Sequence, residues 1–173
     1  MEKYVPDIYQ KNIYSINYDN LLNRGINTLL FDLDNTIALI FDHHPNEDVI
    51  NLFKFLKSKK FKILIVSNSI DARVNTFAKD LKVEYLSSAK KPKNIKLLKL
   101  INDNKFEIDK TAIIGDSMMD DVVAGNSIGI TTVLTDQLSK HEFPLAKIRR
   151  FKEKRIQKKL RDNNLFTKGR YYE

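Results

Sequence analysis

Short apolar segments alternate with amphipathic segments along the middle of the chain. Five apolar runs predict buried strands at residues 26–34, 61–68, 83–86, 111–116 and 131–135. Apolar residues also recur at helical spacing in residues 46–60, 71–81, 91–104 and 119–129. Strands that alternate with helices are typical of crossover connections in a parallel sheet. The pattern therefore predicts an α/β fold with a doubly wound, mostly parallel sheet.

The chain has 173 residues, a length that suits one domain with a substantial core. We predict a single domain over residues 1–173, with a basic C-terminal helix and tail at 145–173 that packs on the domain or extends from it. Residues 146–161 hold nine Lys or Arg and a single Glu. If this segment is helical, one broad face gathers its apolar side chains, which are Leu145, Ile148, Phe151, Ile156 and Leu160.

Composition and charge narrow the classes of partner. A net charge of +8 favours nucleic acid, phosphorylated substrates or an anionic membrane surface. The chain has no cysteine, which excludes disulfides, thiolate metal sites and a cysteine nucleophile. No apolar run is long enough to cross a bilayer, and the start of the chain lacks the layout of a secretory signal. We expect a cytoplasmic protein, or one held peripherally at the inner membrane surface.

Polar residues follow several of the predicted strands directly. In a doubly wound sheet the ligand site lies beyond the carboxyl ends of the strands, so these residues should meet there. The candidates are, in chain order, Asp32 and Asp34, Ser67 and Asn68, Lys90 and Lys91, Asp116, Asp120 and Asp121. Carboxylates gathered at one rim repel one another unless a cation neutralises them. Hard oxygen ligands without Cys or His favour Mg²⁺, and Mg²⁺ in turn suggests a phosphoryl group.

The remaining candidates fit the same chemistry. Lys90 or Lys91 would add a positive charge for the phosphate oxygens, and Ser67 would donate a hydrogen bond to them. If one of the paired acids Asp32 and Asp34 is a nucleophile, it forms an aspartyl-phosphate. The other acid can then protonate the leaving oxygen and afterwards activate the hydrolytic water.

Four segments resemble the four motifs of the haloacid dehalogenase (HAD) superfamily of phosphatases. They are "FDLDNTI", "IVSNS", "KP" and "IIGDSMMDDV", in the order of the family and each after a predicted strand. The resemblance implies a Rossmann-like HAD core, with Asp32 as nucleophile and Asp34 as general acid and base. It implies Ser67 and Lys91 as phosphate ligands, with Asn68 beside them in the substrate site.

The same resemblance implies a bound Mg²⁺. Its ligands would be the Asp32 carboxylate, the Asp34 backbone carbonyl, Asp116 and Asp121. Lys91 is preferred to Lys90 because Pro92 follows it, as in the family motif. Asp121 falls on the second acid of the fourth motif, but Asp120 stands where the family more usually has an uncharged residue. Which of Asp120 and Asp121 faces the metal stays open at this point.

More narrowly, the chain resembles the small YqeG-type HAD phosphatases of subfamily IIIA over nearly its whole length. Further matching segments are "VPDIYQKNIYSINYDNLLNRGINTLL", "AKKP" and "RRFKEKRIQKKL". Mitochondrial relatives of that group dephosphorylate phosphatidylglycerophosphate. The segments between the first three motifs are too short for a separate cap domain, and an open site suits a phosphate on a lipid or another large carrier. The predicted function is therefore a Mg²⁺-dependent phosphatase acting on phosphatidylglycerophosphate or a similar carrier.

Two other functions compete with this one. The chain could be an interaction protein that uses the HAD body as a scaffold in RNA binding or ribosome assembly, as its basic tail suggests. It could also be a phosphorylatable receiver domain, which likewise uses Asp and Mg²⁺ on a parallel sheet. Intact motifs argue against a scaffold, and a receiver does not need the Asp-x-Asp-x-Thr pattern. The sequence does not indicate an oligomeric state.

Overall fold

The computed structural model describes residues 1–139 and 144–173, including their side chains except at 144–147. Six strands form one sheet: β1 (Ile8–Gln10), β2 (Thr28–Phe31), β3 (Lys62–Val66), β4 (Glu84–Leu86), β5 (Thr111–Gly115) and β6 (Thr131–Thr135). Their order across the sheet is β1-β6-β5-β2-β3-β4, and every pairing between these strands is parallel. The predicted doubly wound α/β fold is confirmed.

The helices alternate with the strands, and all except the last, α6, lie in crossover connections. They are α1 (Tyr18–Asn23), α2 (Glu47–Ser58), α3 (Asp71–Leu81), α4 (Ile95–Asp103), α5 (Val123–Ile128) and α6 (Pro144–Asp162). Asn46 caps α2 by accepting a hydrogen bond from the Val49 amide, and α3 ends at Lys82, which has left-handed backbone angles. A π-helical turn over Met118–Val122 leads directly into α5.

One predicted helix begins later than expected. The sequence pattern predicts a helix from residue 91, but α4 begins at Ile95. The Asn68 side chain bonds to both the amide and the carbonyl of Lys91, and the Lys93 amide donates to the carbonyl of Lys90. This segment is therefore held as a turn beside the end of β3, and the helix can begin only after it.

Both faces of the sheet are covered by helices, as alternating side chains along β2 show. Leu29 and Phe31 point into a core shared with α1, α2 and α3. Leu30 points to the other face, where it joins residues of α4 and α5. Such double coverage explains why the central strands are continuous apolar runs rather than alternating ones.

The N-terminal segment contains a strand that the hydrophobic pattern does not reveal. β1 pairs with β6 at one edge of the sheet, and Tyr9 exchanges two backbone hydrogen bonds with Tyr172 near the C-terminus. The Tyr9 ring packs against Phe166 and Tyr171, and its hydroxyl donates to Asp136. Both ends of the chain are thus fastened to the same edge.

The basic helix α6 lies against the body, but with only part of the predicted apolar face. Leu160 is buried and Ile156 partly buried in a small cluster with Tyr9. Ile148 and Phe151 are instead 58% and 59% exposed, and the predicted member Leu145 lies outside the described side chains. No helix in the described part of the chain is long and apolar enough to span a bilayer.

A substitution at Leu30 tests whether β2 lies in the core of the fold. Leu30 is fully buried, so we expect Leu30→Ala to lower the free energy of unfolding by about 2–5 kcal/mol, through lost transfer energy and the cavity left behind. Ile95→Ala removes similar apolar bulk from a side chain that is 76% exposed, and should change stability by about 0.5 kcal/mol or less. Urea unfolding measures both; equal effects would contradict the described core.

Candidate active site

The candidate site lies where the sheet order reverses. β2 and β5 are neighbours, yet the chain leaves β2 towards β3 on one side and leaves β5 towards β6 on the other. Asp32 follows β2 and Asp116 follows β5, and the Asp32 amide donates to the Ile114 carbonyl at 2.8 Å. Ligand sites of doubly wound sheets form at this kind of switch point. The fold therefore brings the first and fourth sequence motifs together.

Three buried carboxylates meet at this edge. One oxygen each from Asp32, Asp116 and Asp121 lies within 4.8 Å of the others. The Thr36 hydroxyl lies 3.3 Å from carboxylate oxygens of both Asp32 and Asp116, and so connects the two strands. The donors are all hard oxygens, which fits a divalent cation of the Mg²⁺ type.

The buried ammonium group of Lys91 is the central cation of the cluster. Its Nζ atom lies 2.8 Å from Asp32 Oδ1 and 2.6 Å from Asp121 Oδ1, and donates to the Val66 carbonyl at 2.7 Å. Burial lowers the pKa of Lys91, but the carboxylates of Asp121 and Asp32 raise it by more, so it stays charged. The alternative candidate, Lys90, is exposed.

Asp121, rather than Asp120, joins the carboxylate cluster. Asp121 is buried, contacts Lys91 and accepts a hydrogen bond from the Ser117 amide at 3.1 Å. Gly115 makes room for it, because a Cβ atom at that position would lie 2.2 Å from the Asp121 carboxyl carbon. The neighbouring Asp120 pairs instead with Arg149 of α6.

The Asp34 carboxylate lines the same pocket and is held by residues in and before α3. It accepts hydrogen bonds from the Ser69 hydroxyl and from Arg73, whose Nη2 atom lies 2.7 Å from Asp34 Oδ1. Arg73 also donates to the backbone carbonyls of Leu39 and Asp42. Arg73 thus ties the acid to the short flap between β2 and α2. Sequence reasoning did not find Arg73, although it follows the second motif by only a few residues.

Ser67 and Asn68 occupy the end of β3. The Ser67 side chain is buried, and its oxygen accepts a hydrogen bond from the Ser69 amide at 3.1 Å. Asn68 lines the pocket, and its amide group holds the backbone of Lys91 from both sides. Asn68 therefore orients Lys91, in addition to the substrate contact predicted from the sequence.

Helix α6 supplies a group of residues that the sequence analysis missed. Arg150 pairs with the Asp116 carboxylate and with Glu153, and Arg149 pairs with Asp120. Glu153 is buried and accepts a hydrogen bond from the Met118 amide at 2.6 Å. Two arginines inside a run of cations carry no distinguishing local signal. The single acid of that run, Glu153, could have indicated a contact with the body, because an isolated acid in a basic face usually has a specific partner.

The pocket that these side chains enclose has a volume of about 510 Å³. Its charged lining consists of six carboxylates and four cations: Asp32, Asp34, Asp116, Asp120, Asp121 and Glu153, with Arg73, Lys91, Arg149 and Arg150. The carboxylates outnumber the cations by two, so one divalent cation would balance the lining.

Burial makes several of these carboxylates hard to ionise. Burial raises the pKa of Asp32 well above the usual range. The Lys91 ammonium lowers this pKa, whereas the nearby carboxylates of Asp121 and Asp116 raise it further. Burial likewise raises the pKa of Asp116 to about 7, although Arg150 opposes the shift. For Asp120, burial and then Asp121 raise the pKa to about 6, against Arg149. A bound cation would favour the ionised forms.

Comparison with known sequences gives two matches. A family model described as HAD-hydrolase-like matches residues 88–158, which include Lys91, Asp116, Asp121 and the pair Arg149 and Arg150. The curated protein "Probable phosphatase YqeG" of Bacillus subtilis (strain 168) is 28% identical over 153 residues, which are 88% of this chain and 89% of that protein.

Solved structures with the same fold also occur among HAD proteins. A HAD family enzyme from Bacteroides thetaiotaomicron, solved as a magnesium complex, aligns with a TM-score of 0.56 at 15% identity, covering 67% of this chain and 96% of that one. A predicted HAD-like family hydrolase from Porphyromonas gingivalis aligns with a TM-score of 0.53 at 11% identity, covering 73% and 98%. At such identities the likeness concerns the fold alone.

Gly115→Ala tests the close packing of Asp121 against β5. The added methyl group would overlap the Asp121 carboxylate, so we expect unfolding to become easier by about 1–3 kcal/mol. In an Asp121→Ala background, which removes the two nearest contacts, the same substitution should have a smaller effect. Thermal unfolding of the four proteins measures this coupling, and strictly additive effects would contradict the described contact.

Proposed function

We propose that the chain is a HAD-type, Mg²⁺-dependent phosphatase that hydrolyses a phosphate monoester through an aspartyl-phosphate. The observation that carries the proposal is the buried cluster of Asp32, Asp116 and Asp121, whose oxygens lie within 4.8 Å of one another beside the Lys91 ammonium. An unreactive scaffold has no physical need to bury this many charges at one edge of its sheet.

In the first step Asp32 acts as the nucleophile. One oxygen of its carboxylate attacks phosphorus, the bond to the leaving oxygen breaks, and the phosphoryl group remains on Asp32. Lys91 and the Ser67 hydroxyl border the same pocket and are suited to bind the phosphoryl oxygens, where negative charge accumulates. Asp34, in its protonated form, gives its proton to the leaving oxygen.

In the second step Asp34 has the opposite role. As a carboxylate it takes a proton from a water molecule, which attacks the aspartyl-phosphate and releases inorganic phosphate. Ser69 and Arg73 hold the Asp34 side chain in place by three contacts from donor groups, which suits the carboxylate that takes the proton in this step.

The cation would be held by the Asp32 and Asp116 carboxylates and the Asp34 backbone carbonyl, with Asp121 close by. When bound, it neutralises charge on the phosphoryl oxygens and on the attacking carboxylate. The oxygen-only donor set supports Mg²⁺.

For the substrate we propose phosphatidylglycerophosphate or another phosphate monoester on a lipidic or large carrier. The described chain has no inserted cap domain between the first three motifs, so the pocket is open to bulky substrates. Apolar Ile40 and Ile70 line it together with the charged groups. The exposed Ile148 and Phe151 and the cations of α6 would suit peripheral contact with an anionic membrane.

Replacement of the nucleophile tests the mechanism. Asp32→Asn keeps the shape of the side chain but removes its nucleophilic oxygen, so turnover of an aryl phosphate should fall by about a thousandfold or more. Chelation of divalent cations should also stop turnover, and added Mg²⁺ should restore it. Asp19→Asn, at a side chain that is 68% exposed, is the matched control and should keep full activity. Full activity of a folded Asp32→Asn protein would exclude the mechanism.

A phosphatase panel tests the substrate class. We expect release of phosphate to be fastest from phosphatidylglycerophosphate in anionic vesicles, and slower from sugar phosphates, nucleotides and phosphopeptides, because the open apolar pocket suits a lipid-borne phosphate. A strong preference for a nucleotide or a free sugar phosphate would rule out the lipid assignment while leaving the phosphatase intact. Asp32→Asn protein supplies the background rate for every substrate.

The net charge of +8 and the exposed cations of α6 also support a second candidate, a scaffold in RNA binding or ribosome assembly. It predicts salt-dependent binding to RNA that survives Asp32→Asn, and no turnover by the wild-type protein.

A further inference from the structure

We propose that Arg149 and Arg150, at the start of α6, form a second anion site that binds a second phosphate group of the substrate, beside the one that is hydrolysed. The preferred substrates would then be phosphate monoesters that carry another phosphate a few bonds away, such as the phosphodiester of a phospholipid head group. This inference rests on the proposed phosphatase function and names the feature of the substrate that the site recognises.

The two arginines are adjacent to the catalytic cluster without being part of it. Arg149 pairs with Asp120, whose chain neighbour Asp121 contacts Lys91, and Lys91 contacts Asp32. Arg149 thus pairs with the acid next to Asp121, whereas Lys91 pairs with Asp121 and with the nucleophile Asp32. Its side chain is 47% exposed, whereas that of Lys91 is 2% exposed, so Arg149 stands nearer the mouth of the pocket.

Arg150 lines the same side of the pocket as Arg149 and is more buried. Its guanidinium contacts the Asp116 carboxylate, and it donates to the Asp116 carbonyl at 3.2 Å and to Glu153 at 2.8 Å. Glu153 is itself buried and bonded to the Met118 amide. These contacts engage both Nη atoms of Arg150, so this residue fixes the position of α6 beside the pocket and adds positive charge next to Arg149.

The pocket has room for more than one phosphoryl group. Its volume of about 510 Å³ falls in the range of sites that hold whole small molecules, far above that of a single water or phosphate. The phosphoryl group to be transferred already has Lys91, Ser67 and the proposed cation. Arg149 contacts Asp120 through one nitrogen, Nη2, and its guanidinium carries further N–H groups that can bind another anionic part of the substrate, with Ile40 and Ile70 for its apolar part.

Two soluble lipids separate the contributions of the phosphates. Dihexanoyl phosphatidylglycerophosphate and dihexanoyl phosphatidic acid, both used below their micellar concentrations, each carry one phosphate monoester and the same acyl chains. Only the first also has a phosphodiester. We expect wild-type kcat/KM to favour the first, and Arg149→Gln to reduce that preference by about tenfold to a hundredfold, the loss of a hydrogen-bonded charge pair. Arg149→Lys should restore part of it.

A matched control separates this effect from a general loss of charge. Lys152→Gln removes the same charge from an exposed position on α6, away from the pocket lining, and should leave the preference unchanged. Equal losses of Arg149→Gln on both lipids, or an equal change in Lys152→Gln, would overturn the second anion site, as would a wild-type enzyme without preference. Absence of activity on every monoester would instead overturn the proposed phosphatase, and thermal unfolding identifies any variant that fails to fold.

Arg150→Gln gives a second measurement at the same wall. It should also lower the preference for the lipid with two phosphates, and its kcat/KM for both lipids should fall because Arg150 contacts Asp116. A folded Arg150→Gln protein whose preference equals that of the wild type would show that this side chain does not bind the second phosphate.

Discussion

The site depends on one buried ammonium group. Lys91 lies between Asp32 and Asp121 and also donates to the carbonyl of Val66, so it joins the ends of β2 and β3 to the turn after β5. Without a cation at this point, carboxylates within 4.8 Å of one another in a dry environment would take up protons or move apart. Removing one partner of such a buried pair typically destabilises a protein by about 3–5 kcal/mol. Lys91 therefore holds together strand ends whose carboxylates would otherwise repel one another.

Much of the fold could be predicted because its signals are local. The segments around β2, β3 and β5 are apolar runs that end in polar residues. This pattern predicts each strand and also predicts that its polar residues lie at the carboxyl edge of the sheet. β1 gave no such signal. It has three residues, and its partner β6 lies more than a hundred residues away, so the pairing depends on contacts such as Tyr9 with Tyr172 that no local window contains.

The candidate site divides in the same way. The sequence predicted Asp32 and Asp116 at one edge, because each directly follows a strand of a parallel sheet. The family motif favoured Lys91 over Lys90, but Asp120 against Asp121 stayed open, because neighbouring residues differ only in where their side chains point. The structure buries Lys91 and Asp121 and leaves Lys90 exposed. Arg73 and Arg150 could not be found locally, since a cation on an amphipathic helix has the pattern of a solvated face.

Helix α6 shows why that pattern is ambiguous. The basic helix was predicted to pack on the domain or extend from it, with its apolar residues gathered on one face, yet Ile148 and Phe151 are exposed while the charged Glu153 is buried. The reason is electrostatic, because Arg149 and Arg150 form ion pairs with the pocket carboxylates of Asp120 and Asp116. Ion pairing at the start of the helix therefore sets its rotation. The inner side of the helix then completes one wall of the pocket, and the outer side leaves apolar and cationic side chains exposed.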